Sequence, residues 1–294
     1  MKLKLASALI WLIGFLPLRW LHAMAGPLGW LLYWLPWNKH RVIAINLAMC
    51  FPENSQAQRR KLHRQHLIEL LRLALEAGAI WHWTEDKIER HVQTEGWNDV
   101  LQARDSGQGL MLVSAHLGNW ELLNLYLSMH LPVATLYRAP DTPALDTFIT
   151  QPRERFGGRM IAGGSPSLRH LLAQLKTGKA TALAADIQPK RGDGVYVPLF
   201  GHPALTMTLV NKLAGRTGCA VFLCWAERRP RGAGWILHFE AAEASISGPD
   251  AAEALAPMNQ WLERAIRSAP TQYLWLYKRF SRQPDGNKPY RKTG

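Results

Sequence analysis

From Leu110 onward, short apolar runs of strand length alternate with segments of helix length, and no other feature limits the fold as strongly. Leu110-Met111-Leu112-Val113-Ser114 reads as a buried strand, with further strands expected at 133–137, 180–185, 219–226 and 235–240. Helices are expected near 119–130, 143–156, 165–178, 206–217 and 251–268. Strands separated by helices predict an α/β fold with a mostly parallel sheet covered on both faces. Upstream, Ser55 to about Ile80 is helical by the spacing of Leu62, His66, Leu70, Leu73 and Ala77. Arg59, Arg60, Lys61 and Arg64 fall on its other faces, as a solvated surface or one that meets a membrane. At 294 residues the chain can bury one substantial core and demands no second domain.

The N-terminus is of a different kind. Five of the 13 Trp residues (Trp11, Trp20, Trp30, Trp34, Trp37) fall within the first forty positions, and from Leu5 to Asn38 the only formal charge is Arg19. Trp prefers the headgroup level of a bilayer, where its ring is apolar and its N–H still meets water. The uninterrupted run from Leu5 to Leu18 is short of the roughly 20 residues that span a bilayer. Lys2, Lys4 and Ala23-Met24-Ala25 mimic a cleaved signal peptide, but Arg19, Trp20 and Leu21 crowd the region before that site. A retained, tilted or re-entrant anchor over 1–38 is the expectation, with a single domain over 39–294; a buried pair of core helices is the alternative.

A formal charge of +13 predicts attraction to an anionic partner: nucleic acid, acidic lipid or an acidic protein. Nucleic acid lacks support, because there is no zinc-finger spacing, no aromatic RNA-binding signature and no basic helix with heptads. Cys50, Cys219 and Cys224 are odd in number, widely spaced and in apolar surroundings. They fit reduced, buried thiols and a cytosolic catalytic domain.

The chemistry gathers where the first predicted strand ends. Ser114-Ala115-His116-Leu117-Gly118-Asn119-Trp120-Glu121 sets a histidine past a strand's carboxyl end and an acid in the first turn of the next helix. Ligands of open α/β sheets bind at that edge. Gly118 allows a tight connection, Asn119 is a suitable N-cap, and the helix dipole favours Glu121 at its place. A carboxylate that holds one imidazole nitrogen leaves the other free to take a proton, as activating a hydroxyl requires. Spacing alone does not separate this from a structural His near a Glu. A serine hydrolase using Ser114 lacks a G-x-S-x-G elbow. The eleven His residues are too scattered for an evident metal site, His63 and His66 being three apart rather than four.

The whole stretch "LVSAHLGNWELLN" resembles the His-x4-Asp/Glu signature of glycerolipid-type acyltransferases, and more closely the late acyltransferases of lipid A biosynthesis. The similarity continues through Tyr137-Arg138-Ala139-Pro140, Arg153-Glu154-Arg155, "ALAADIQPKRGDGVYVPLFGHPALT" and "PTQYLWLYKRFSRQPDG". It covers about 36–286, while the Gly-rich stretch after Arg155 and His202 after "PLFG" depart from the pattern. The resemblance implies a glycerolipid-acyltransferase-like sheet flanked by helices, an acyltransferase domain over 39–294 and a membrane-associated helical N-terminus. It implies acyl transfer from an acyl thioester, generally on acyl carrier protein, to a hydroxyl of an anionic glycolipid, on the cytoplasmic side of the bacterial inner membrane. His116 would be the general base and Glu121 its orienting carboxylate, with neither metal nor cofactor, since a thioester is already activated. Backbone N–H groups near Gly118 would serve the oxyanion.

Arg138 and Arg155 are the arginines expected to bind phosphate or carboxylate, against surface ion pairs with Asp141, Asp146 or Glu154. Asp186 also follows a predicted strand, where it would orient His116, Arg138 or a sugar hydroxyl, or else serve as a turn residue. The ending from Lys278 to Lys292 carries six basic residues against Asp285, as a solvated tail or a carrier-protein or phosphate contact. Alternatives are another lipid acceptor, such as a lysophospholipid or ornithine lipid, and a non-catalytic membrane-binding homologue.

Overall fold

The computed structural model describes residues 12–291; the start of the expected anchor, with Lys2, Lys4 and Trp11, and also Lys292, lie outside them. In chain order the elements are α1 (Leu18–Trp34), α2 (Lys39–Cys50), α3 (Gln56–Ile80), α4 (Glu85–Glu89), β1 (Val92–Glu95), α5 (Trp97–Asp105), β2 (Leu110–Gly118), α6 (Trp120–His130), β3 (Val133–Tyr137) and α7 (Pro143–Glu154). There follow β4 (Arg159–Ala162), α8 (Ser165–Lys176), β5 (Ala180–Ala184), β6 (Gly194–Leu199), β7 (His202–Met207), α9 (Leu209–Thr217), β8 (Ala220–Arg228), β9 (Trp235–Ala241) and α10 (Ala251–Ser268). They form two compact units. Of the described residues, one takes in 12–24, Arg72–Ala184 and Thr217–Ala241; the other takes in Ala25–Leu71, Ala185–Arg216 and 242–291.

The first unit is a seven-stranded sheet in the order β1-β9-β8-β2-β5-β3-β4. Every neighbouring pair is parallel except β8 with β9. β2 lies between β5 and β8, and its Leu110, Met111, Leu112 and Val113 are buried, which is why this strand is apolar without alternation. Helix α6 turns Leu122, Leu123, Leu125, Tyr126 and Leu127 into the same core as Trp97 and Val100 of α5. The four inner strands expected besides β2 appear within two residues of their expected limits, whereas β2 runs four residues further, through His116. The edge strands β1 and β4 were not expected.

In the second unit, β6 and β7 form an antiparallel hairpin closed by Phe200 and Gly201, both at positive φ (50° and 72°). Asn259 of α10 donates to the carbonyls of Val197 and Pro198 and to the Thr206 hydroxyl. The chain from Ala269 onward buries Tyr273, Trp275 and Phe280, and Asn46 of α2 donates to the Trp275 and Tyr277 carbonyls. Arg279 is buried there and donates to the Leu205 carbonyl and the Thr206 hydroxyl. Of this basic ending Arg279 is therefore packed structure, while Lys278, Arg282, Lys288 and Arg291 are exposed. On α3, Arg60, Lys61 and Arg64 are exposed, while Arg59 turns back to the carbonyls of Phe51, Pro52 and Asn54.

Helix α1 shows solvent an apolar series, Trp20, Met24, Leu28, Leu31 and, just beyond it, Leu35, recurring about once per turn; Trp30 and Trp34 are also exposed. Among the described residues no helix is long and apolar enough to cross a membrane.

Candidate active site

The pairing of β2 with β8 is regular to Ser114, opposite Cys224, and resumes at Gly118, opposite Ala226. Four residue steps of β2 thus run against two of β8, and His116 lies within that surplus. A bulge of this kind bends the strand and re-aims the side chains it carries. His116 is half-buried, with the edge of Trp120 against its ring at 5.0 Å between centroids. The strand is released by Gly118 at φ +66°, where a Cβ would stand 1.7 Å from the Ala226 carbonyl oxygen. Only glycine fits so close an approach. The next N–H, that of Asn119, donates to the same oxygen at 2.9 Å. It is thereby committed to the sheet and removed from the N–H groups near Gly118 expected to serve an oxyanion.

Asn119 is the N-cap of α6 as expected, its Oδ1 accepting from the Leu122 N–H at 2.9 Å. Glu121, in the first turn, is buried. Its carboxylate accepts from Arg153 of α7 through Nε at 2.9 Å and through Nη2, and from the Trp81 indole N–H at 3.2 Å. The forked guanidinium and the helix N-terminus both complement a negative group at this position.

Behind the turn lies a second buried carboxylate. Glu76 of α3 is fully buried and receives Arg228 through Nε (2.5 Å) and Nη2 (2.6 Å), His22 Nε2 (2.5 Å) and Asn119 Nδ2 (2.9 Å). Burial alone would raise this carboxyl, but Arg228 and the hydrogen bonds from His22 and Arg228 outweigh it and hold it below its ordinary value.

The other expected residues are distributed as follows. Arg138, at the end of β3 and two strand spacings (about 10 Å) from β2, is exposed and has no hydrogen-bond or ion-pair partner among the described residues. Arg155 lies over the Phe156 ring at 3.8 Å and donates to the carbonyls of Ile80 and Trp83. Asp146 accepts from the Tyr137 hydroxyl and Glu154 from the Met160 N–H, so neither forms the ion pair considered for these arginines. Asp186 belongs to the second unit, where it is buried and hydrogen-bonded to Tyr273.

Sequence reasoning missed Arg153, Trp81, Glu76 and Arg228. Arg153 and Arg155 flank one glutamate, and nothing local says which of them reaches Glu121. Glu76 left a usable signal: an acid among Leu73, Ala77, Ala79 and Ile80 on a helix needs a buried partner.

The fold is that of an α/β protein whose mostly parallel sheet carries this turn at the carboxyl end of β2, the edge at which open sheets of this kind bind ligands. Residues 3–282 match the model of the bacterial lipid A biosynthesis acyltransferases, and the chain belongs to that family. It is 29% identical over 283 residues to a lipid A biosynthesis lauroyltransferase of Escherichia coli K12, covering 96% of this chain and 92% of that one. It is 28% identical over 242 residues to a lipid A biosynthesis palmitoleoyltransferase of the same organism, covering 82% and 78%. A phosphatidylinositol mannoside acyltransferase of Mycolicibacterium smegmatis is 30% identical over 142 residues, 46% of this chain and 45% of that one. The protein is an acyltransferase of lipid A biosynthesis.

Proposed function

We propose that the chain moves a fatty acyl group from an acyl carrier protein thioester to a hydroxyl of a lipid A precursor, with His116 as general base and Glu121 as the carboxylate that orients it. The bulged end of β2 carries this reading, since it brings a half-buried imidazole to the sheet edge beside a helix start that holds a buried carboxylate. His116 takes the acceptor's hydroxyl proton as the oxygen bonds to the thioester carbonyl carbon. Collapse of the tetrahedral intermediate breaks the C–S bond, and the imidazolium returns the proton to the departing thiolate. Arg138, exposed at the end of β3 two strands away from β2, meets the acceptor's anionic groups.

The work takes place at the cytoplasmic face of the bacterial inner membrane, with the apolar series of α1 in the bilayer interface. The exposed Trp residues of α1 and the exposed Arg60, Lys61 and Arg64 of α3 support this placement, and the three free thiols support a reducing compartment. The test is transfer by the purified full chain from lauroyl-loaded acyl carrier protein to a lipid A precursor. His116→Ala should remain folded and lose at least about 100-fold in kcat; a folded variant with near-normal transfer sinks the reading, and release of free fatty acid by the unaltered chain points to a hydrolase.

A further inference from the structure

Asn119 has two jobs at once, and they depend on opposite ends of its amide. The Oδ1 end caps α6 through the Leu122 N–H, while the Nδ2 end donates to Glu76. An asparagine amide can be turned either way, and its hydrogen-bond partners decide which. Here Glu76 decides. Its two oxygens are acceptors only, and four donors fill them: Arg228 Nε and His22 Nε2 on Oε1, Arg228 Nη2 and Asn119 Nδ2 on Oε2. With its NH2 drawn to Glu76, Asn119 must turn its oxygen toward the helix start.

The anchor is rigid because it is buried and drawn from three elements. Glu76 comes from α3, Arg228 from the end of β8 and His22 from α1, and all three are almost completely buried. Asn119 is completely buried as well, and its own N–H is tied to Ala226, two residues before Arg228. Asn119, between His116 and Glu121, is thus held on one side by a buried carboxylate and on the other by the backbone of β8.

We infer that Glu76 is the positioning residue of the catalytic turn: acting through Asn119, it fixes the start of α6 and with it the placement of Glu121 relative to His116. This rests on the His116–Glu121 reading above. Arg228 and His22 keep the Glu76 carboxylate in place.

The experiment is Asn119→Asp, assayed for acyl transfer from pH 8 to pH 6 beside the unaltered chain and His116→Ala. Aspartate caps a helix as well as asparagine does, so a residue that merely caps would give the variant the parental kcat at every pH. If Glu76 positions the turn, the variant sets a second carboxylate against Glu76 where a 2.9 Å donor had been. Like charges so close cannot both persist without sharing a proton. At pH 8 kcat should fall by about 100-fold, the loss typical of a displacement near 1 Å at a reacting centre, with little change in either KM. As the pH is lowered and one proton bridges the pair, the ratio of variant to parental kcat should rise at least about tenfold. Parental kcat at pH 8, or a loss whose ratio does not change with pH, overturns the inference.

Asn119→Ser keeps a neutral cap that is too short to reach Glu76, and it decides the matter if Asn119→Asp fails to fold. A kcat at least about tenfold lower at unchanged melting temperature and KM supports the anchor; parental kcat overturns it. Full transfer by His116→Ala would remove the dyad reading itself, whereas an inactive His116→Ala beside a fully active Asn119→Asp removes only the role of Glu76.

Discussion

A single methyl group at Gly118 tests the geometry of the turn most sharply. In Gly118→Ala the new Cβ would lie 1.7 Å from the Ala226 oxygen, and even a minimal 3.0 Å separation requires the two backbones to part by 1.3 Å. That shift breaks the 2.9 Å bond from the Asn119 N–H to the same oxygen, worth about 1 kcal/mol. The left-handed conformation at φ +66° adds about 1–2 kcal/mol for a residue with a side chain. The folded state should therefore lose about 2–3 kcal/mol, read as a lower midpoint in urea with an unchanged slope. Because His116 lies two residues before the displaced glycine, kcat should fall by about 100-fold. Parental kcat in a folded variant would show that the tight passage past β8 does not set the site.

Arg153→Ala strips both guanidinium bonds from the buried Glu121 carboxylate and leaves it Trp81; kcat should drop about 10- to 100-fold, Arg153→Lys should recover part of it, and unchanged kinetics would detach Arg153 from the site. Trp30→Ser with Trp34→Ser, two residues 56% and 64% exposed on α1, should weaken sedimentation with lipid vesicles at least about tenfold; equal sedimentation would remove α1 from the membrane contact. Burial lowers the imidazoles of His66 to about 3 and His63 to about 4, the latter also through neighbouring His40. Both lie below the unfolded value, so their stabilising effect is complete above about pH 6.5 and is lost on acidification, about 2 kcal/mol each by pH 5. The urea midpoint should accordingly fall between pH 7 and 5, with a shallower fall in His66→Gln, and a flat profile would refute it.

The inner strands were legible because a strand buried on both faces is written as an unbroken apolar run, as in Leu110–Val113. The edge strands β1 (Val-Gln-Thr-Glu) and β4 (Arg-Met-Ile-Ala) were not, since they bury little and owe their form to a neighbour far along the chain. The β6–β7 hairpin escaped notice because its turn has Phe200 at positive φ, where the usual signal is Asn or Asp before glycine. At the candidate site, the strand end at His116, the cap at Asn119 and the first-turn place of Glu121 followed from local rules for strand ends and helix starts. What holds Glu121 and Asn119 in place did not, because Arg153 is 32 residues from Glu121, and Glu76 is 43 from Asn119. Capping can be read from neighbours in sequence, whereas hydrogen bonds and ion pairs of this span depend on the assembled fold.

The pairing of β1 with β9 sets the order in which the chain can be completed during synthesis. Val92 pairs with Trp235, 143 positions later, and the apolar β2 waits 70 positions from Leu110 for its first partner at Ala180. At about 5–20 residues per second, β2 stands without a neighbouring strand for roughly 4–14 s and β1 for roughly 7–29 s. Over that interval the nascent chain presents an unpaired apolar strand, and its yield should depend on whatever shelters that strand, a ribosome-associated chaperone or slower translation, more than on the stability of the finished fold.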